Sequence, residues 1–226
     1  MTVPNIDLTG KQLNDAEREE FVRQLAEKTQ LLAQCTDAMA CARLQLDISE
    51  ILIWLDRNSE AWDLARGAFD TALQNEAWQD AVEACNVLYQ TGQTGSIEAL
   101  GMGIWLAVTY PVAHQLTYAM LDHLVAETPA NADGAALAAV AARYVIDLRA
   151  DDESHPDWSL LANDLIARVA ARHSNVQDQQ GLDAWMARMG LRDPQLFLPR
   201  LAQVLDVIVG DAWWFDRNEL RDKIPD

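Results

Sequence analysis

The chain has 226 residues, half of them hydrophobic, which is ample for a core in one large domain or two small ones. Its 35 acidic residues against 17 basic ones give a net charge of −18, and only three of the cations are Lys. That balance argues against direct nucleic-acid binding, which needs a basic face for phosphate. It leaves solubility, a basic protein partner or mimicry of DNA as uses for the acidity.

Residues 1–13 read as an extended arm. They lack the basic start and apolar run of a secretory leader, so a cytoplasmic location is expected. Asn14 and Asp15 can cap a helix that opens with Glu17, Glu19 and Glu20, the charge favoured at a helix start. No Gly or Pro interrupts Lys11–Arg66. The apolar stripe Phe21, Leu25, Leu32, Cys35, Met39 then changes phase to Leu44, Ile48, Ile51, Leu52, Leu55. A break near Thr36–Asp37 or near Asp47 follows from that change. Cys35 and Cys41 would project from different sides of one helix, and with Cys85 they read as free, buried thiols in a reducing compartment.

Asn58 and Ser59 look like the next cap. Glu60-Ala61-Trp62 recurs as Glu76-Ala77-Trp78, sixteen residues later. In one continuous helix the two Trp would point about 160° apart, so an antiparallel pair turning near Gln74–Asn75 is predicted, with both Trp at one interface. Ala68, Ala72, Leu73, Trp78 and Ala81 form the pattern A..AL....W..A. Over about 30 residues, 60–92, this resembles tetratricopeptide-type αα repeats at the junction between one repeat and the next. Ala65-Arg66 stands where that family has Leu-Gly after its first Trp. The resemblance implies stacked helix pairs with a concave peptide-binding face.

Ala99–Leu121 contains no Asp, Glu, Lys or Arg and is expected to be the centre of the core. It is long enough to cross a bilayer. However, Pro111 lies mid-run, His114, Gln115 and Thr117 follow it, and the flanks are Glu98 and Asp122 without basic anchors. A buried soluble core split by Pro111 into helices at about 97–109 and 112–126 is the expectation. Residues 128–134 form a loop that offers a subdomain boundary. Helices are then predicted at 135–150, from Asp157 onward, at 182–189 up to Gly190, and from Asp193-Pro194 to Gly210. The inward positions expected there include Leu148 and Leu161.

The sum is a single all-α domain over 1–226, a multi-helix bundle or tetratricopeptide-like hairpin array of about ten helices with no sheet. No phosphate-cradling loop, zinc spacing, nucleophile elbow or kinase signature occurs, so no catalytic residue, metal or cofactor is expected. His123 with Glu127, and Asp151-Asp152-Glu153, are the nearest approaches to a metal site, and a solvated face accounts for both. Six of the eight Trp are expected in the core. Trp213, Trp214 and Phe215 are adjacent and cannot all face one way from a regular element, so they are the expected partner-binding residues. The favoured function is an accessory protein, an adaptor, chaperone or assembly factor, that binds another protein, with self-association as a further possibility and no membrane partner. An acidic DNA mimic is the first alternative. An enzyme with a pocket near Tyr110, His114 and Tyr118 is the second.

Overall fold

A computed structural model describes residues 13–224. Among the described residues every regular element is a helix: α1 (Asp15–Gln34), α2 (Ala38–Trp54), α3 (Asn58–Gln74), α4 (Trp78–Gln90), α5 (Ser96–Thr109), α6 (His114–Glu127), α7 (Gly134–Arg149), α8 (His155–Ser174), α9 (Gln179–Arg188), α10 (Pro194–Val209) and α11 (Arg217–Arg221). The all-α expectation holds. Residues 1–12 of the expected arm lie outside the described residues, and no helix among those described is long and apolar enough to cross a membrane.

The chain divides into two compact units, Met1–Val112 with Asp211–Asp226, and Ala113–Gly210. The division falls between Val112 and Ala113, one residue beyond Pro111. The proline holds Tyr110 in extended backbone, φ −112° and ψ 163°, and so ends α5. The loop over 128–133 lies within the second unit, between α6 and α7.

In the first unit, consecutive helices pack on one another from α1 to α5, and α2 also meets α4. The capping predicted at Asn14 is present: its side chain accepts from the Glu17 N–H while the Glu17 carboxylate accepts from the Asn14 N–H. Asp37 caps α2 by accepting from the Ala40 N–H. The break at 35–37 corrects the cysteine reading. Because Cys35 ends α1 and Cys41 lies in a new helix, their Cα atoms come within 5.6 Å and the two form a disulfide. Only Cys85 is free and buried, and burial pushes its thiol up.

The helices α2, α3 and α4 are joined by two turns of one kind. Asp56 (φ 60°) and Glu76 (φ 55°) take the left-handed conformation. In each turn the following N–H bonds back to a carbonyl in the last turn of the helix, Arg57 to Leu52 and Ala77 to Ala72. Glu76-Ala77-Trp78 is therefore a turn and a helix start, whereas Glu60-Ala61-Trp62 lies wholly inside the first turns of α3. The helix pair is as predicted, but the two copies of the motif are not structurally equivalent. Ala61, Ala65, Ala68 and Ala72 of α3 and Ala81 and Ala84 of α4 are all fully buried. Residues 99–107 of α5 are buried without a gap, as expected for the uncharged run.

In the second unit α7 packs on α6, α8 and α10, and α9 packs on α8. Residues 134–142 of α7 are buried without interruption. Leu148 and Leu161, expected inward, are instead 62% and 48% exposed; Ala162 takes the buried place on α8. The six tryptophans expected in the core also need correction. Trp105 and Trp185 are buried, but Trp54, Trp62, Trp78 and Trp158 are only partly buried, each with part of a large indole packed and part in water.

Candidate functional site

The predicted partner-binding residues lie on the C-terminal return of the first unit. Gly210 (φ 55°) ends α10. The backbone then follows no regular element until Asp216, whose side chain accepts from the N–H groups of Asn218 and Glu219 to start α11. Leu220 is buried, and its carbonyl accepts from the Tyr110 hydroxyl at 2.6 Å. Tyr110 stacks face to face on Trp78, with centroids 3.7 Å apart. Burial, with Glu76 nearby, raises its phenol above the usual range.

Irregular backbone frees the three aromatics from strict alternation. Trp213 meets Trp105 edge to face at 6.2 Å. Trp214 meets Phe69 at 5.2 Å and Trp62 at 6.2 Å, again edge to face. Phe215 lies 5.5 Å from both Trp105 and Trp213. All three rings are half-buried. Guanidinium groups cover two of them, Arg217 over Trp213 at 4.1 Å and Arg66 over Trp214 at 4.2 Å. Trp62 and Trp78, paired at one interface in the sequence reading, serve different contacts here: Trp62 faces Trp214 and Trp78 faces Tyr110. The result is a layer of rings fixed by one another, with arginine on its faces and ring area still exposed.

A second polar feature of this unit lies where α2 meets α4. Arg43 of α2 reaches Asp80 at 3.3 Å and Glu83, both on α4, as well as Asp47 one turn along at 3.5 Å. Lys28 of α1 pairs with Asp47 at 2.7 Å. Glu50 lies within this cluster, and its carboxyl is pushed up to about 7, chiefly by burial; Arg43 and Lys28 pull the other way, while Asp47 and Glu83 add to the rise. Four carboxylates thus share two cations.

The second unit contains the letters of a catalytic triad without its geometry. His155 Nε2 lies 2.8 Å from Asp147 Oδ1, and Ser159 lies one turn after His155. The Ser159 hydroxyl is 3.3 Å from Nδ1 and 3.5 Å from Nε2. Near-equal distances leave no single short, well-aligned serine–imidazole hydrogen bond of the kind a catalytic triad uses. Arg143 also donates to that hydroxyl at 2.9 Å and pairs with Asp147. This network braces α7 to α8. Nearby, His114 is buried against the edge of Trp158, and Tyr118 flanks the same indole. Burial lowers the His114 pKa. Tyr110 belongs to the first unit, whereas His114 and Tyr118 belong to the second. Among the described residues no group of three or more His, Cys, Asp or Glu is placed to hold a metal ion. Asp151, one of the acidic-loop residues, instead accepts from the Ser154 N–H at 2.8 Å.

The chain matches no protein-family model, no curated protein and no solved structure.

Sequence reasoning selected Trp213, Trp214 and Phe215. It missed Arg66, Arg217 and the Arg43 cluster. The Arg66–Trp214 and Arg43–Glu83 contacts join residues far apart in sequence, which no local pattern encodes. Arg217 lies only four residues after Trp213, so that contact is local in sequence.

Proposed function

We propose that the protein is an accessory factor that works by binding another protein, and that the first unit carries the contact surface. The observation behind this reading is the ring layer at the C-terminal return. Trp213, Trp214 and Phe215 are held by edge-on and tilted ring neighbours yet remain only half-buried. Aromatic anchors fixed in advance lose little conformational freedom on binding, and Trp and Arg are the residue types that most often dominate an interface. The acidic excess supports a partner with a basic segment. On the αα-repeat reading, α2/α3 and α4/α5 would be successive pairs. The neighbouring helices α2 and α4 would then offer Asp47, Glu50, Asp80 and Glu83 to that segment.

The test is co-purification from the native host using the full chain beside its Trp213→Ala and Trp214→Ala variants. A specific co-purifying protein, reduced at least about tenfold by either substitution in a variant that stays helical by circular dichroism, supports the reading. A co-purifying set unchanged in both variants overturns it.

A further inference from the structure

The seam between α1 and α2 has a regular design. Phe21 stacks on Trp54, with centroids 5.8 Å apart and planes 11° from parallel. Lys28 pairs with Asp47. Cys35 is bonded to Cys41. On the α1 side the residues are seven apart, at 21, 28 and the C-cap 35, and their α2 partners descend through 54, 47 and 41. This is the register of an antiparallel helix hairpin, with one ring stack, one ion pair and one covalent bond as its rungs. No residue of α1 is buried, and α1 packs on α2 alone among the helices that it meets substantially. The apolar residues on its inner side, Phe21, Leu25 and Leu32, are only partly covered, so α1 is held by a thinner apolar contact than its neighbours, to which the three rungs add discrete points of attachment. Both cysteines are only partly covered, so a small thiol can reach them.

We propose that Cys35–Cys41 is a thiol-responsive latch at the hinge, and that a small thiol opens it by forming a mixed disulfide on Cys35. The two sulfurs differ in their surroundings. Cys41 is the fourth residue of α2, near a helix N-terminus, where a thiolate is stabilised. Cys35 is the C-cap of α1, where the dipole disfavours negative charge. Cys41 is the better leaving group, so an incoming thiolate bonds to the Cys35 sulfur, the protein S–S bond breaks, and Cys41 departs as thiolate. A second thiolate then attacks the small-molecule sulfur of the mixed disulfide. That step releases Cys35 as thiolate and completes an oxidised small disulfide. Two electrons pass from two small thiols to the protein disulfide, and their two protons end on Cys35 and Cys41. With the covalent rung gone, α1 undocks more often and uncovers Trp54 and Asp47 on α2.

The experiment uses the full chain, purified in air, with reduced glutathione as the probe. Acid-quenched peptide mapping locates the adduct, and amide hydrogen exchange follows residues 15–34. The expected result is glutathione on Cys35 and exchange across α1 faster by about 10- to 30-fold, the scale expected for opening a short disulfide loop. Exchange in α3, α4 and α5 should stay the same. A Cys35→Ser, Cys41→Ser double variant should show the fast α1 exchange without any thiol. Two free thiols at 35 and 41 in the air-purified protein would overturn the latch, as would unchanged α1 exchange after reduction. Equal acceleration throughout the first unit would also overturn it, because the bond would then be a staple for the whole unit. An adduct on Cys41 instead of Cys35 would overturn the assigned direction of attack.

Discussion

Two neighbouring hairpins of the first unit are built on opposite principles. In α3–α4 both helices carry fully buried faces. Four alanines of α3 and two of α4 are fully buried, and small side chains let the backbones approach closely. In α1–α2 no residue of α1 is fully buried, and a partly covered apolar side is supplemented at three points: a ring stack, an ion pair and a disulfide. The first hairpin resists change everywhere along its length. The second can be loosened one rung at a time. Helices that look alike in sequence can therefore differ in permanence, according to whether area or discrete contacts hold them.

The largest effect is expected where the packed hairpin meets the C-terminal return. Phe69 of α3 is fully buried and touches both Trp214 and Phe215. Phe69→Ala should destabilise by about 3–5 kcal/mol in chemical denaturation. It should also increase protease cleavage near residues 211–216, because the rings that hold the return lose their support. An unchanged denaturation midpoint would show that the alanine contacts suffice without the ring layer. Next comes overpacking. Ala65→Leu forces three extra carbon atoms into the α3 core face and should cost about 1–3 kcal/mol. An equivalent insertion on α1, Ala26→Leu at an exposed position, should cost less than about 0.5 kcal/mol. Equal costs would erase the contrast between the hairpins.

The contrast has a pH-dependent side at Glu50, on the α2 surface that meets α4. Its carboxyl pKa rises from 4.5 to about 7 on folding, mainly through burial. The folded state therefore binds more protons than the unfolded state between those values. Stability from this group is fully present below pH 4.5 and is lost as pH rises through about 7. Glu50→Gln removes the dependence. At pH 8 the variant should be more stable than the parent by about 1–2 kcal/mol, and near pH 4 the difference should vanish. Denaturation curves at the two pH values check this, and a parent that gains stability from pH 5 to 8 more steeply than the variant would refute it.

Much of this arrangement was legible in the sequence because it is local. The polar caps at Asn14 and Asp193, the glycine stops at 190 and 210, and the proline split at 111 all rest on residues that restrict their own backbone. The turns at Asp56 and Glu76 were harder to read. Both adopt a left-handed conformation that usually calls for Gly or Asn, so the residue types gave no signal. The disulfide was misread because its geometry depends on where a helix breaks, and two breaks fitted the pattern. The candidate surface was half legible. Three adjacent aromatics announced themselves, but Arg66 and the Arg43 cluster are assembled only by the pairing of helices.

The smallest expected effect tests the point-held hairpin most directly. Lys28 and Asp47 are each about 30% exposed and pair at 2.7 Å. A partly exposed pair of this kind contributes about 0.2–1 kcal/mol. Lys28→Met keeps the length and apolar stem of the side chain but removes its charge, which isolates the ion-pair rung from the packing of the chain. Because no residue of α1 is fully buried and α1 packs on α2, that loss should stay within the hairpin. Global denaturation should shift by less than about 0.5 kcal/mol, while amide exchange in α1 rises by up to about fivefold and exchange in α3 and α4 does not change. The change should be larger at high pH, where Glu50 is ionised and Lys28 has more negative charge to offset. It should shrink in high salt, which screens a surface pair. If the substitution instead lowers the global midpoint as much as Ala65→Leu does, α1 is part of the cooperative core and the distinction between the two hairpins fails.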